Sequence, residues 1–157
     1  MVDAEVKTHL RDRITSARDC YLQDLEAMDE PTLLSSPGGV ARVPIDFTYE
    51  VVVVNRRVLA RLKNEDPGPF DSSGWMVAPE DFRNKRAAID GIRESTNAVL
   101  EAWDALPEGD INKSIPLESG ETTALKAASM CATHLVYHDA QLNFVQSLAG
   151  DDEMHWQ

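Results

Sequence analysis

Apolar side chains recur every three or four residues through long stretches of this chain, and that regularity restricts it to helices packed side by side. From residue 6 the sequence places Val6, Leu10, Ile14, Ala17, Tyr21, Leu25 and Met28 at such steps, with Asp, Arg and Lys between them. An α-helix turns once per about 3.6 residues, so these positions form one stripe on one face. The stripe predicts a first helix over Asp3–Met28. Pro31 stops it, because the residue before a proline disfavours helical backbone. A second stripe, Phe47, Val51, Val54, Val58 and Leu62, predicts a helix beginning near Ile45, with Pro44 suited to its first turn. The run Val51–Val54 also suits a buried strand. The spacing on both sides is helical, however, and Arg56, Arg57, Arg61 and Lys63 fall on the opposite face. A third stripe through Phe82, Ala88, Ile92, Thr96, Val99 and Trp103 predicts a helix from Pro79 or Glu80 to about Leu106. A fourth, through Leu125, Ala128, Ala132, Leu135, Leu142, Val145 and Ala149, predicts a helix from about Thr122 to Ala149 with Gly150 as its C-cap.

The segments between are rich in breakers. Glu30–Pro44 holds Pro31, Ser35-Ser36-Pro37-Gly38-Gly39 and Pro44. Asn64–Pro79 holds Pro67, Gly68, Pro69, Ser72, Ser73, Gly74 and Pro79. Loops longer than about 12 residues are uncommon and often functional. This one carries Phe70, Trp75 and Met76, expected to plug the end of the bundle, with a pocket mouth as the other reading. Ile111–Gly120, ending Glu118-Ser119-Gly120, reads as irregular. Four helices and no strand signal define an all-α four-helix bundle. The long connections leave up-down and crossover orders both open. A chain of 157 residues suits one domain, with the bundle over 1–150 and a tail over 151–157.

Composition removes several function classes. The net charge of −12 argues against a phosphate-backbone binder, so no nucleic-acid partner is expected. The longest apolar run is Val51–Val54, far short of the roughly 20 residues a membrane span needs. The first residues lack the apolar core of a signal peptide, and Cys20 and Cys131 make no disulfide framework. A reducing cytoplasm is the expected compartment.

The chemistry concentrates on the fourth helix. His134 and His138 stand four apart, on one face and one turn from each other, where two imidazoles can bind one metal ion. A third ligand must come from a facing helix. Glu50 lies three residues after Phe47 and four before Val54, so it points to the core side of its helix. A carboxylate there is costly unless it is paired or bound to a metal. Asp46 and Tyr49 stand about one turn away. Tyr137 and Asn55 are candidates for the groups that orient metal-bound histidines, while Asp139 lies about 100° around the helix from His138. Cys131 and Cys20 are read as small buried side chains, His9 as solvated, and His155 as part of a tail that either folds back or hangs free. There is no Gly-x-Gly-x-x-Gly, Walker loop, Gly-x-Ser-x-Gly or Cys-x-x-Cys. The Glu-x-x-His pattern of di-iron bundles is also missing, with Cys131 before His134 and Leu135 before His138.

The run His134-Leu-Val-Tyr-His138-Asp-Ala-Gln141-Leu, with Leu148-Ala-Gly150 beyond it, resembles the last helix of DinB-like metal-binding proteins. The segment Phe47-Thr-Tyr-Glu50-Val-Val-Val-Val-Asn55-Arg56 resembles their second helix, and the Gly120–Thr123 opening also fits. The resemblance implies a bundle with a divalent metal (Zn, Ni, Mn or Fe) held by Glu50, His134 and His138. Glu50 stands where that family usually has a histidine. The resemblance further implies a homodimer, and it loosely implies a metal-dependent transferase or hydrolase using low-molecular-weight thiols or another small molecule. The opposing expectation is a non-enzymatic helical bundle whose metal site is degenerate, with a stress-related or interaction role.

Overall fold

The computed structural model describes residues 2–71, 73–117 and 120–156; Ser72, Glu118 and Ser119 lie outside the described residues. The elements are α1 (Val2–Ala27), α2 (Glu30–Leu34), α3 (Pro44–Leu62), α4 (Lys85–Ala105), strands β1 (Ser114–Leu117) and β2 (Gly120–Thr123), and α5 (Ala124–Leu148). The four long helices follow the four apolar stripes. Their starts are set by side chains that satisfy free backbone N–H groups. Asp29 accepts from Thr32 at α2, Asn84 from Ala87 at α4, and Thr123 from Lys126 at α5. Pro44 opens α3, where its missing N–H has no consequence. Past the C-cap Ala149, Gly150 takes φ +94°, a left-handed conformation that favours glycine.

Two expectations are corrected. The helix expected from Pro79 or Glu80 starts later: Glu80–Phe82 forms a single 3₁₀ turn, and Asn84 caps a helix that begins at Lys85. Replacing Asn84 by Ala is expected to destabilise the fold by about 1 kcal/mol, as read from the urea midpoint. The segment expected to be irregular is an antiparallel hairpin, pairing Ser114 with Thr123 and Ile115 with Thr122. With only four residues per strand and Pro116 inside one, no alternating run announced it.

Cross-bundle contacts fix the order. Lys7 Nζ on α1 donates to the carbonyls of Asp104 and Leu106 at the far end of α4, and Lys85 Nζ at the start of α4 donates to the carbonyls of Glu26 and Met28. These two helices are therefore antiparallel. Asp46 pairs with Arg83, and Asn55 Nδ2 donates to Ser95 and Thr96, so α3 and α4 run parallel. Asp24 meets Asn143, and Glu50 meets His134, so α5 runs with α1 and against α3. The bundle is up-down-down-up, with α1 and α3 on one diagonal and α4 and α5 on the other. Its core is built on Ile14, Tyr21, Leu25, Ile45, Val51, Ile92, Trp103, Leu135 and Leu142, all fully buried. Gly91 lets α4 lie close against α3 and the Phe82 ring, since a Cβ there would lie 3.1 Å from Val52 of α3 and 2.8 Å from Phe82. Among the described residues no helix is long and apolar enough to cross a membrane.

Candidate metal centre

The antiparallel pairing of α3 and α5 brings together the three residues singled out by spacing. His138 Nε2 lies 3.2 Å from His134 Nε2. Glu50 Oε1 lies 3.5 Å from His134 Nε2 and 3.7 Å from His138 Nε2. Donors about 2.1 Å from a tetrahedral ion lie about 3.4 Å apart, so this triangle has the dimensions of three metal ligands. Two imidazoles and a carboxylate suit Zn, Ni, Mn or Fe(II).

Protonation is already set for ligation. Burial, reinforced by the neighbouring His134, pushes His138 down to about 4. Burial also lowers His134, outweighing the attraction of Glu50. Burial would raise Glu50, but the hydrogen bond and charge of Arg42 outweigh it and hold the carboxyl below its usual range. At neutral pH both rings are neutral and the carboxylate is ionised, the forms that bind a metal.

Supporting residues orient the donors. Gln141 Oε1 lies 2.7 Å from His138 Nδ1. Accepting the Nδ1–H hydrogen bond there keeps the proton on Nδ1 and leaves the Nε2 lone pair facing Glu50 and His134. Phe47 stacks on the His138 ring at 5.3 Å and 10°. Arg42 Nη2 holds Glu50 Oε2 at 2.5 Å, leaving Oε1 toward the histidines, and its guanidinium lies 4.7 Å over the Trp75 ring. Gln141→Ala is expected to weaken zinc binding about 10- to 100-fold without changing helix content, measured by chelator competition and circular dichroism.

Sequence reasoning missed Arg42 and did not separate Gln141 from its neighbours. Gln141 sits three residues after His138, a spacing that faces it; Arg42 comes from an irregular loop and carries no such signal. Asn55 does not attend the centre, being engaged with Ser95 and Thr96. The Tyr137 and His138 rings lie nearly perpendicular, with centroids 4.9 Å apart. Asp46 accepts from Ala78 and pairs with Arg83, and Tyr49 packs on Phe82. Cys131 is buried, with its thiol pushed up to about 12 by burial. Cys20 is only half-buried. His9 is exposed. The tail folds back: His155 pairs with Asp151 at 2.9 Å, and Trp156 Nε1 donates to Asp24 Oδ2 at 2.8 Å.

The long loop does not plug the bundle. Arg57 Nη1 donates to the carbonyls of Pro67, Gly68 and Pro69, and its guanidinium lies 4.9 Å over the Phe70 ring. So clamped, the loop walls an open cavity of about 760 Å³ lined by Val54, Phe70, Ile115, Met130 and His134. Trp75 and Met76 line a second cavity on the other side of Phe70. Arg57 and Arg61, expected on a solvated outer face, are half-buried in the first cavity's wall. His138 is 1% exposed and His134 15%, so the centre opens on the His134 side, toward this cavity.

The fold and the cluster together define an all-α bundle with a two-histidine, one-carboxylate centre beside a cavity. No protein-family model matches the chain, and no curated protein sequence matches it. Solved structures do. A conserved protein from Enterococcus faecalis superposes with a TM-score of 0.70 at 14% identity, over 90% of this chain and 95% of that one. A DinB-like protein from Bacillus cereus superposes with a TM-score of 0.67 at 14% identity, over 87% of each chain. The chain has the DinB-like fold.

Proposed function

We propose that this is a divalent-metal protein of the DinB-like family, in which Glu50, His134 and His138 hold the ion and the adjoining cavity takes a small-molecule substrate. The observation that carries this reading is the triangle of donor atoms, 3.2–3.7 Å on a side, in the protonation state that ligation needs. A divalent ion held by three protein donors supplies Lewis acidity and an acidified water or thiol. The chain's own residues supply the rest. Gln141 fixes the His138 tautomer, Arg42 fixes Glu50, and Val54, Ile115 and Met130 give the cavity apolar walls beside His134. That arrangement suits a metal-dependent transferase or hydrolase with a low-molecular-weight thiol as one substrate.

Variants of Glu50 test the ligand set. Glu50→Ala should weaken zinc at least about 10-fold, and Glu50→His should restore or tighten it, because imidazole suits zinc as well as carboxylate does. Zinc affinity unchanged in Glu50→Ala would remove Glu50 from the centre. Thiol-dependent turnover by the zinc-loaded protein, lost on chelation, would establish the enzyme. Full metal occupancy with no turnover of any thiol or ester would leave a metal-binding bundle.

A further inference from the structure

The second cavity, on the other side of Phe70 from His134, is lined by none of the three candidate metal donors. It encloses about 780 Å³, within the roughly 300–1,000 Å³ typical of small-molecule sites. Its floor is one face of α3, where Tyr49, Val53, Arg56 and Ala60 recur at helical steps. Its walls come from the long loop, through Phe70, Trp75 and Met76.

Two rings in those walls are exposed and yet fixed. Phe70 is 41% exposed and Trp75 74%. Burial, which ordinarily orders such rings, is largely forgone here. A guanidinium over one face holds each instead, Arg57 at 4.9 Å from Phe70 and Arg42 at 4.7 Å from Trp75. Arg57 is anchored in turn by the Pro67, Gly68 and Pro69 carbonyls, and Arg42 by Glu50. Rings already oriented on a cavity wall stack a planar ligand with little further loss of freedom.

Charge selects the ligand. With a guanidinium against each ring, a cationic ligand meets repulsion where an anion meets attraction. Asp66 and Asp71 also line the cavity, but each turns its Oδ1 to a backbone N–H, Asp66 to Gly68 and Asp71 to Ser73. The carbonyls that hold Arg57 are neutral and leave its charge uncancelled. Arg56, exposed on the floor, has no partner among the described residues, and a guanidinium matches a carboxylate in a planar, two-bond pair. We propose that this cavity is a second small-molecule site that takes a planar aromatic carboxylate, its ring against Trp75 and Phe70 and its carboxylate on Arg56. The site does not require the metal.

Isothermal titration calorimetry of the metal-free full chain with cinnamate tests it, beside the neutral cinnamyl alcohol and the cationic cinnamylammonium. Cinnamate should bind at about one equivalent with a dissociation constant below about 1 mM, the alcohol about 10-fold more weakly, and the ammonium more weakly still. Trp75→Ala should weaken cinnamate at least about 10-fold, with circular dichroism unchanged because the ring faces solvent. Arg56→Gln should weaken cinnamate about 10-fold and change the alcohol by less than about 2-fold, since only the carboxylate uses the charge. No saturable uptake of cinnamate would overturn the proposal, as would ammonium binding as tight as that of the carboxylate. Cinnamate affinity unchanged in both variants would overturn it too. So would binding lost in Met130→Glu and kept in Trp75→Ala, since Met130 lines the cavity beside His134 and not this one.

Discussion

Zinc is expected to raise the thermal midpoint of the wild-type protein and to leave that of His138→Ala where it is. A ligand at about 100 times its dissociation constant stabilises the folded state by about 2.7 kcal/mol. For a chain of this size each kcal/mol moves the midpoint by about 2–4 °C, so the wild-type shift should be about 5–10 °C. His138 is the innermost donor, 1% exposed, stacked on Phe47 and oriented by Gln141. Its loss leaves Glu50 and His134, and zinc affinity should fall at least about 100-fold, the upper end of what supporting residues cost. Scanning calorimetry with and without zinc measures it. A variant that shifts as far as wild type would place the ion elsewhere.

The metal-free protein is expected to lose stability between pH 6.5 and 8, and Asp139→Asn is expected to abolish that loss. Asp139 is buried on the side of α5 that faces Asp24. Burial, together with a hydrogen bond and repulsion from Asp24, pushes its carboxyl up to about 8. Asp24 is surrounded by donors: Asn143 Nδ2 at 2.5 Å and Trp156 Nε1 at 2.8 Å on Oδ2, with Gln146 Nε2 on its carbonyl. The folded state keeps a proton that the unfolded chain releases near pH 4, so rising pH favours unfolding until the folded carboxyl also ionises near 8. Below pH 6.5, His138, with its pKa lowered to about 4, acts in the opposite sense, since the unfolded chain takes up a proton that the fold rejects. The two offset each other there, leaving the window from 6.5 to 8 to Asp139. At about 1.4 kcal/mol per pH unit the wild-type loss is about 2 kcal/mol. Asparagine keeps the hydrogen bond to Asp24 and has no proton to lose, so its stability should be flat across the window and higher than wild type at pH 8. Urea titrations at both pH values decide; equal slopes for the two proteins would mean that Asp139 is ionised in the fold.

The parts of this molecule that were legible in the sequence are those governed by helical phase. The stripes fixed four helices. The positions of His134, His138 and Glu50 within them placed all three on facing sides of α3 and α5. The same phase argument would have found the carboxyl pair: Asp24 stands three residues after Tyr21 and four before Met28, and Asp139 four after Leu135 and three before Leu142. What phase does not reach is structure made by turns and by partners distant in sequence. The 3₁₀ turn at Glu80–Phe82 is one short turn following Pro79, and the hairpin of β1 and β2 is short and holds Pro116 inside a strand. Arg42 reaches Glu50 from a glycine- and proline-rich loop, and Arg57 gathers the carbonyls of another. Bundle order is likewise set by pairs between helices distant in sequence, such as Lys7 with Asp104 and Asp46 with Arg83.

Three side chains, two from α5 and one from α3, are proposed to hold a single ion. Elemental mass spectrometry of protein purified without a histidine tag, loaded with zinc and passed free of excess, tests it most directly. Wild type should retain about one equivalent of zinc per chain, and the His134→Ala/His138→Ala variant less than about a tenth. Wild-type protein that retains no metal, or a double variant that retains as much as wild type, would contradict it.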